Sequence, residues 1–184
     1  LSTTRQGAKA LNELAQEQRK DAGEIRGDAF SVNGYKFHAG DRILFTKNNK
    51  AMGLMNGQTG TVLTINHGAG TIGVVMDSGE RKIVPTSTYD KVELGYATTT
   101  HKAQGKTVDR AYVLAGGSMQ DKELSYVQVS RAREATQIFT SVEEGGRTIE
   151  ELAAKMNQSR IKALAQEQRE EYQQHKEQQR SLSR

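Results

Sequence analysis

Apolar residues recur along this chain at two different spacings, and the switches between them divide it into segments. In residues 5–22, Ala8, Leu11, Leu14 and Ala15 fall at helical intervals with Gln, Glu, Arg and Lys between them. That pattern predicts one amphipathic helix, ended by Gly23 and Gly27. From 29 to 94 the period shortens. Phe30-Ser31-Val32 and part of Arg42-Ile43-Leu44-Phe45-Thr46 alternate, and 61–65, 71–76 and 81–84 are runs of strand length. Asn56-Gly57 with Gly60, His67-Gly68-Ala69-Gly70 and Asp77-Ser78-Gly79-Glu80 supply turns, the last a hairpin turn. Short strands at this spacing predict a small β-barrel.

Residues 96–141 change pattern again. Tyr96-Ala97-Thr98-Thr99-Thr100 reads as a strand leading into a loop, 111–115 as a buried strand, 124–133 as a helix and 137–140 as a last strand. Strands alternating with helices predict a parallel α/β sheet. Beyond 147, Ile149, Leu152, Ala153, Met156, Ile161 and Leu164 form a partial helical stripe, so a docked helix is expected to about residue 165. The rest is almost uninterrupted Gln, Glu, Arg and Lys, too polar to bury a core and expected as a solvated helix or frayed tail. The run Ala15-Gln16-Glu17-Gln18-Arg19 returns at 165–169; with two copies and no fixed period, it reads as shared helix-surface composition.

The length of 184 residues suits one domain or two small lobes. Without Cys there is no disulfide, thiolate metal site or thiol nucleophile, which fits a cytoplasmic chain without demanding it. No apolar run approaches membrane-spanning length, so no membrane partner is expected. The first residue is Leu1 rather than Met, which reads as an excised or processed piece. A net charge of +4 permits phosphate binding but does not require it.

Candidate chemistry concentrates in two stretches. The first, from Tyr96 to Thr107, places hydroxyls, His101, Lys102 and Gly105 at the mouth of an expected strand. Hydroxyls, backbone N–H groups, imidazole and ammonium are the donors that phosphodiester oxygens accept from, and open α/β sheets bind ligands beyond the carboxyl ends of their strands. Gly105-Lys106-Thr107 imitates a phosphate-binding loop, but that motif needs a glycine where this chain has Thr100. In the second stretch, Arg131 and Arg133 follow an apolar helical run. An Arg fixed on a rigid element can stabilise charge on a transferring phosphate; from spacing alone, a surface pair bridging to Glu134 or solvent is the simpler reading. His38, His67 and His175 lack metal-ligand spacing and read as structural or surface residues, Asp109-Arg110 as a structural pair, and Met52, Met55 and Met119 as packing or turn residues. No metal site is expected.

The run YATTTHKAQGKTVDRAYVL followed by SYVQVSRAREATQIFTS resembles motifs V and VI of superfamily 1B, RecD-like DNA helicases, most closely the helicase half of conjugative relaxases of the TraI, TrwC and TraA kind. Upstream, HAGDRILFTKNN and NGQTGTV resemble the start of an SH3-like insertion, and TRQGAKALNELAQ the motif IV helix. The likeness covers roughly residues 3–142; GGRTIEELAAKMNQSRIKALAQEQ resembles, less specifically, the segment beyond the motor in some relaxases.

The resemblance implies a partial RecA-like second motor domain: 1–28 its start (the motif IV region), 29–94 an inserted SH3-like 2B barrel, 95–142 its remainder with motifs V and VI, and 143–184 a polar helical extension. It implies Arg131 as an arginine finger contacting nucleotide, Thr98, Thr100, His101, Lys102 and Gln104 on single-stranded DNA, and Gln104 and Gly105 shaping that loop, with Gly105 also at the nucleotide. Where many relatives carry Glu near the nucleotide sugar this chain has Thr107, so no ribose contact is implied. Lys47, Asn48, Asn49 and Lys50 are either DNA-contacting or a solvated basic turn. The implied cofactors are ATP and Mg2+ in the parent enzyme and none on this chain alone, since Walker A and B are missing; the partners are single-stranded DNA, the upstream RecA-like 1A domain and other conjugation proteins. Two alternatives stand beside a helicase piece: a non-catalytic single-stranded DNA-binding module, and an adaptor using the polar C-terminal helix.

Overall fold

The computed structural model describes residues 1–117 and 119–159. Ile161, Leu164, the 165–169 echo, His175 and the polar tail lie outside the described residues. The fold is α/β and forms two compact units, Leu1–Ala103 and the chain from Gln104 onward.

The first unit opens with helix α1 (Arg5–Asp21). The Thr4 side chain caps it, its Oγ1 accepting the Gly7 N–H at 3.0 Å, and Gly23 at φ +70 turns the chain out of it. The buried face of α1 carries Ala8 and Asn12, whereas Leu14 of the expected apolar stripe is 56% exposed. Next comes a hairpin of β1 (Arg26–Val32) and β2 (Tyr35–Ala39), antiparallel, with Val32 opposite Tyr35. Its two-residue turn, Asn33-Gly34, has φ +51 and +80, the doubly left-handed geometry that matches strand twist.

Strands β3 (Arg42–Phe45), β4 (Thr59–Asn66), β5 (Thr71–Met76), β6 (Arg81–Pro85) and β7 (Val92–Leu94) make one antiparallel sheet in the order β6-β5-β4-β3-β7. In β5, Ile72, Val74 and Met76 are buried while the residues between them are partly open, the period of two that a one-sided sheet dictates. These side chains join Phe37, Ile43, Phe45, Leu54, Val62, Val84 and Val92 in a single core that also takes in Val32 of the hairpin. Truncating any of the large ones to Ala should cost about 2–5 kcal/mol. The expected closed barrel is not formed. Among the described strands β6 and β7 remain sheet edges; β7 has only three residues, and β6 ends at Pro85, which has no N–H for a further ladder bond.

The second unit is a βαβ element. Strand β8 (Val108–Leu114) runs parallel to β9 (Ala132–Phe139), with α2 (Lys122–Val129) between them in the chain. Asp121 caps α2 by accepting the Leu124 N–H at 2.7 Å. The helix stops at Val129 rather than Arg133, because residues from Ala132 onward spend their backbone groups on β8. Arg133 and Glu134 are therefore strand residues. Two short helices follow, α3 (Val142–Gly145) and α4 (Ile149–Met156). A helix does form where one was expected, but it ends at Met156 rather than near residue 165, and among the described residues it is not docked: α4 buries no residue and Ile149 is 81% exposed.

Candidate nucleic-acid interface

Residues 96–100 do not form the expected strand. Among the described residues their only strand-type pairing is a parallel bridge of Thr99 with Ser2. The cause is Asn12, buried on α1. Its Oδ1 accepts the N–H groups of Tyr96 and Ala97, both at 2.8 Å, and its Nδ2 donates to the Ala97 carbonyl at 2.9 Å. A side chain thus takes the backbone groups that a strand neighbour would otherwise take. The same Nδ2 donates to Ala8 O, so the carboxamide is fully engaged.

Beyond this clamp the segment is tied to the start of the chain. The Ser2 N–H donates to Thr98 O, and the Thr100 N–H and hydroxyl both donate to Ser2 O. Thr100 is fully buried, so its side chain holds the segment instead of facing outward. His101 and Lys102 sit exposed on a short 3₁₀ turn, His101–Ala103, whose Lys102 N–H donates to Thr99 Oγ1 at 3.3 Å.

Thr98, Thr99 and Lys102 line a cleft of about 500 Å³ within the first unit, together with Arg5 and Lys9 of α1, Tyr35 of β2 and the backbone-anchored Ala97. Three cations, three threonine hydroxyls (Thr46, Thr98 and Thr99) and the first turn of a 17-residue helix thus meet one concavity, a combination suited to anionic oxygens. Glu93 lines it too and holds the Lys102 ammonium at 2.9 Å. The cleft is therefore basic but partly self-neutralised. His101 does not line it. Lys47 and Lys50 are exposed, while Asn48 and Asn49 accept the N–H groups of Asn56 and Met52; the 47–50 turn is built by its own asparagines.

A buried acid sits behind the clamp. Asp41 is wholly buried, accepting from the His38 N–H at 2.6 Å, Gln16 Nε2 at 2.7 Å and the Tyr96 hydroxyl at 2.5 Å. The Arg19 guanidinium lies over the Tyr96 ring at 5.5 Å. Burial, then the hydrogen bond to the Asp41 carboxylate, pushes the Tyr96 phenol well above its ordinary value of 10.0. His38 thus has a structural place, buried with Nδ1 at 3.4 Å from Asp41, and His67 packs edge-on against Phe30.

In the second unit Arg131 stands at the junction of α2 and β9. Its Nε donates to Val127 O at 2.9 Å, one terminal nitrogen to Ser130 Oγ at 2.9 Å and the other to Lys106 O at 3.3 Å. Among the described residues no carboxylate pairs with it. The neighbouring charges are matched across the strands, Arg133 with Asp109 at 3.0 Å and Arg110 with Glu134 at 3.2 Å. Gln104 and Gly105 are exposed, and Gly105 has φ +79, a left-handed turn suited to glycine. Lys106 and Thr107 lead into β8 and not into a helix, so a phosphate-binding loop is not formed. Among the described residues no group of three or more His, Asp and Glu could hold a metal ion.

Comparison with known proteins places this architecture. The chain is 38% identical over 144 residues to the conjugal transfer protein TraA of Agrobacterium fabrum, covering 76% of this chain and 13% of that protein. It is 32% identical over 111 residues to the RecBCD enzyme subunit RecD of Mycobacterium tuberculosis, covering 57% of this chain and 18% of that subunit. The chain is homologous to conjugal transfer TraA proteins and to RecD subunits. Its fold matches the Pif1 helicase from Bacteroides, solved in complex with ADP-AlF3 and ssDNA, with a TM-score of 0.62 and 20% identity, over 94% of this chain and 44% of that one. The Pif1 helicase from Candida albicans matches at a TM-score of 0.55 and 15% identity, over 87% of this chain and 47% of that one. No protein-family model matches. The chain spans about 13% of the length of the TraA relatives it matches.

Several residues that build the site are absent from the candidates that sequence suggests. Asn12 breaks the apolar stripe of α1 at a buried position, and that polar interruption is the available signal. Asp41 follows His38 by three residues but looks like an ordinary turn acid, since its burial depends on partners far away in the chain. Among the described residues no helix is long and apolar enough to cross a membrane.

Proposed function

We propose that this chain is the C-terminal motor portion of an ATP-dependent DNA helicase of a conjugative relaxase. The cleft lined by Thr98, Thr99 and Lys102 carries the reading: hydroxyls and cations are presented on a backbone fixed by Asn12, where phosphates of a single strand can accept from them. His101, exposed on the same turn, adds a donor, and Gln104 and Gly105 continue the loop. In this reading Thr100 supports the segment from behind. The homology to TraA and the fold shared with Pif1, one of whose structures holds ssDNA and ADP-AlF3, support it.

The second unit supplies Arg131. Its guanidinium is partly buried and fixed at a helix end without a described carboxylate partner, which fits a phosphate-oxygen ligand. ATP, with Mg2+, supplies the phosphoryl group to be transferred; Arg131 would stabilise the charge on it as an arginine finger. The phosphate cradle and Mg2+ ligands are assigned to the upstream RecA-like 1A domain. Residues 1–28 and 95–142 are then parts of the second motor domain, 29–94 its SH3-like insertion in open form, and the protein works in the cytoplasm with other conjugation proteins.

The experiment is Arg131→Ala in the full-length parent. The proposal expects ATP hydrolysis to fall about 10³-fold or more with single-stranded DNA affinity unchanged. One observation favours a second reading, a non-catalytic single-stranded DNA-binding module: every guanidinium nitrogen of Arg131 already donates within its own unit. Hydrolysis unaffected by the substitution would select that reading.

A further inference from the structure

We infer that Tyr35 is a base-stacking wall of the cleft in the first unit, receiving one base of a single-stranded DNA whose phosphates meet Arg5, Lys9 and Lys102; this rests on the single-strand reading above. Tyr35 lines the same concavity as Thr98, Thr99 and Lys102. The volume, about 500 Å³, falls among cavities that hold small-molecule-sized groups.

The ring is held in place. Tyr35 is the first residue after the Asn33-Gly34 turn and pairs with Val32, so a tight hairpin fixes its backbone. Its ring leans on Phe37, 6.4 Å between centroids at 51°. It is only partly buried, although it packs against the core.

Its hydroxyl is unlike those of the other tyrosines of this unit. Tyr89 donates to Lys47 O and Tyr96 to Asp41, whereas among the described residues the Tyr35 hydroxyl makes no hydrogen bond. Burial, with the charges of Glu93 and Glu13, raises its pKa, so it remains a neutral donor at physiological pH.

Single-strand sites combine cations that follow the backbone with aromatic faces for unstacked bases, and both occur in this cleft. A duplex keeps its bases stacked on one another and offers the ring no free face. The Asn56 side chain, also at the cleft, has both donor and acceptor capacity toward a base edge.

The test is fluorescence anisotropy of the whole chain with a labelled oligothymidylate and with an abasic strand of equal length. Tyr35→Ala should weaken oligothymidylate binding about 5-fold or more, the low end of a lost stacking contact. Tyr35→Phe, which keeps the ring, should stay within about 2-fold, and neither substitution should alter abasic-strand affinity. An unchanged affinity for Tyr35→Ala, or an equal loss on both strands with the urea midpoint unmoved, overturns the stacking site while leaving the single-strand reading intact. Wild-type chain that binds neither strand overturns both.

Discussion

Asn12 closes a two-point clamp on Ala97: its Oδ1 accepts the Ala97 N–H at 2.8 Å and its Nδ2 donates to the Ala97 carbonyl at 2.9 Å. One helical side chain thereby replaces a neighbouring strand for the residue directly ahead of Thr98 and Thr99. Asn12→Ala strands the part-buried backbone groups of Tyr96 and Ala97. The expected loss is about 1–3 kcal/mol of stability for each group left without a partner, read by urea denaturation. Single-stranded DNA affinity should fall as well, because the hydroxyls lose their fixed placement. Full stability in Asn12→Ala would show that the clamp does not hold this segment.

Tyr96 links the same segment to buried Asp41. Its phenol pKa is raised in the folded state by burial and by the Asp41 hydrogen bond. The neutral phenol's contribution to stability is therefore complete below the ordinary value of 10.0 and is lost as pH rises from there toward the higher folded value. Tyr96→Phe should lower stability near neutral pH and flatten the fall expected above pH 10.0. Chemical denaturation of both proteins across alkaline pH measures it; parallel curves would refute the link.

Lys102 is held by Glu93 at 2.9 Å. Both side chains are partly exposed, so the pair itself contributes little to folding. For binding it matters more, since the ammonium must exchange a carboxylate for a phosphate. Glu93→Gln should tighten single-stranded DNA binding about 2- to 5-fold at low salt, an advantage that fades as screening increases. Weaker binding by Glu93→Gln would mean that Glu93 helps to build the cleft.

The run Gly105-Lys106-Thr107 enters β8 rather than opening a helix. No phosphate cradle results, so the chain alone should release negligible phosphate from ATP, with or without single-stranded DNA. A phosphate-release assay checks this, and DNA-stimulated turnover by the isolated chain would contradict it.

How far the sequence alone reveals this fold depends on how local each determinant is. Helix α1 is readable because Thr4, the apolar spacing and Gly23 all lie within it or beside it. Strand β5 and the arm β6 are readable because Asp77-Ser78-Gly79-Glu80 marks their turn. Strand β7 escapes a sequence reading, since Val92-Glu93-Leu94 is too short to show a period. Strand β2 is absent from the expected elements although Asn33-Gly34 is a strong hairpin signal. The misplaced end of α2 has another cause: Val127 and Val129 continue the apolar pattern, and pairing with β8, a non-local event, decides that Ala132 begins a strand. For the same reason residues 96–100 resemble a strand in sequence, whereas Asn12, some 85 positions away, claims their backbone. Of the residues expected at DNA, Thr98 and Lys102 line one cleft and Thr100 is buried; that Arg5, Lys9 and Tyr35 line the same cleft becomes visible only with the fold.

The most direct test of the central claim is the salt dependence of single-stranded DNA binding by this chain, wild type against Lys102→Ala. If the cleft grips phosphates, log K falls linearly with log salt, and removing this one cation makes the slope shallower by about 0.7. A wild-type chain that does not bind, or a slope identical in the two proteins, would contradict the account.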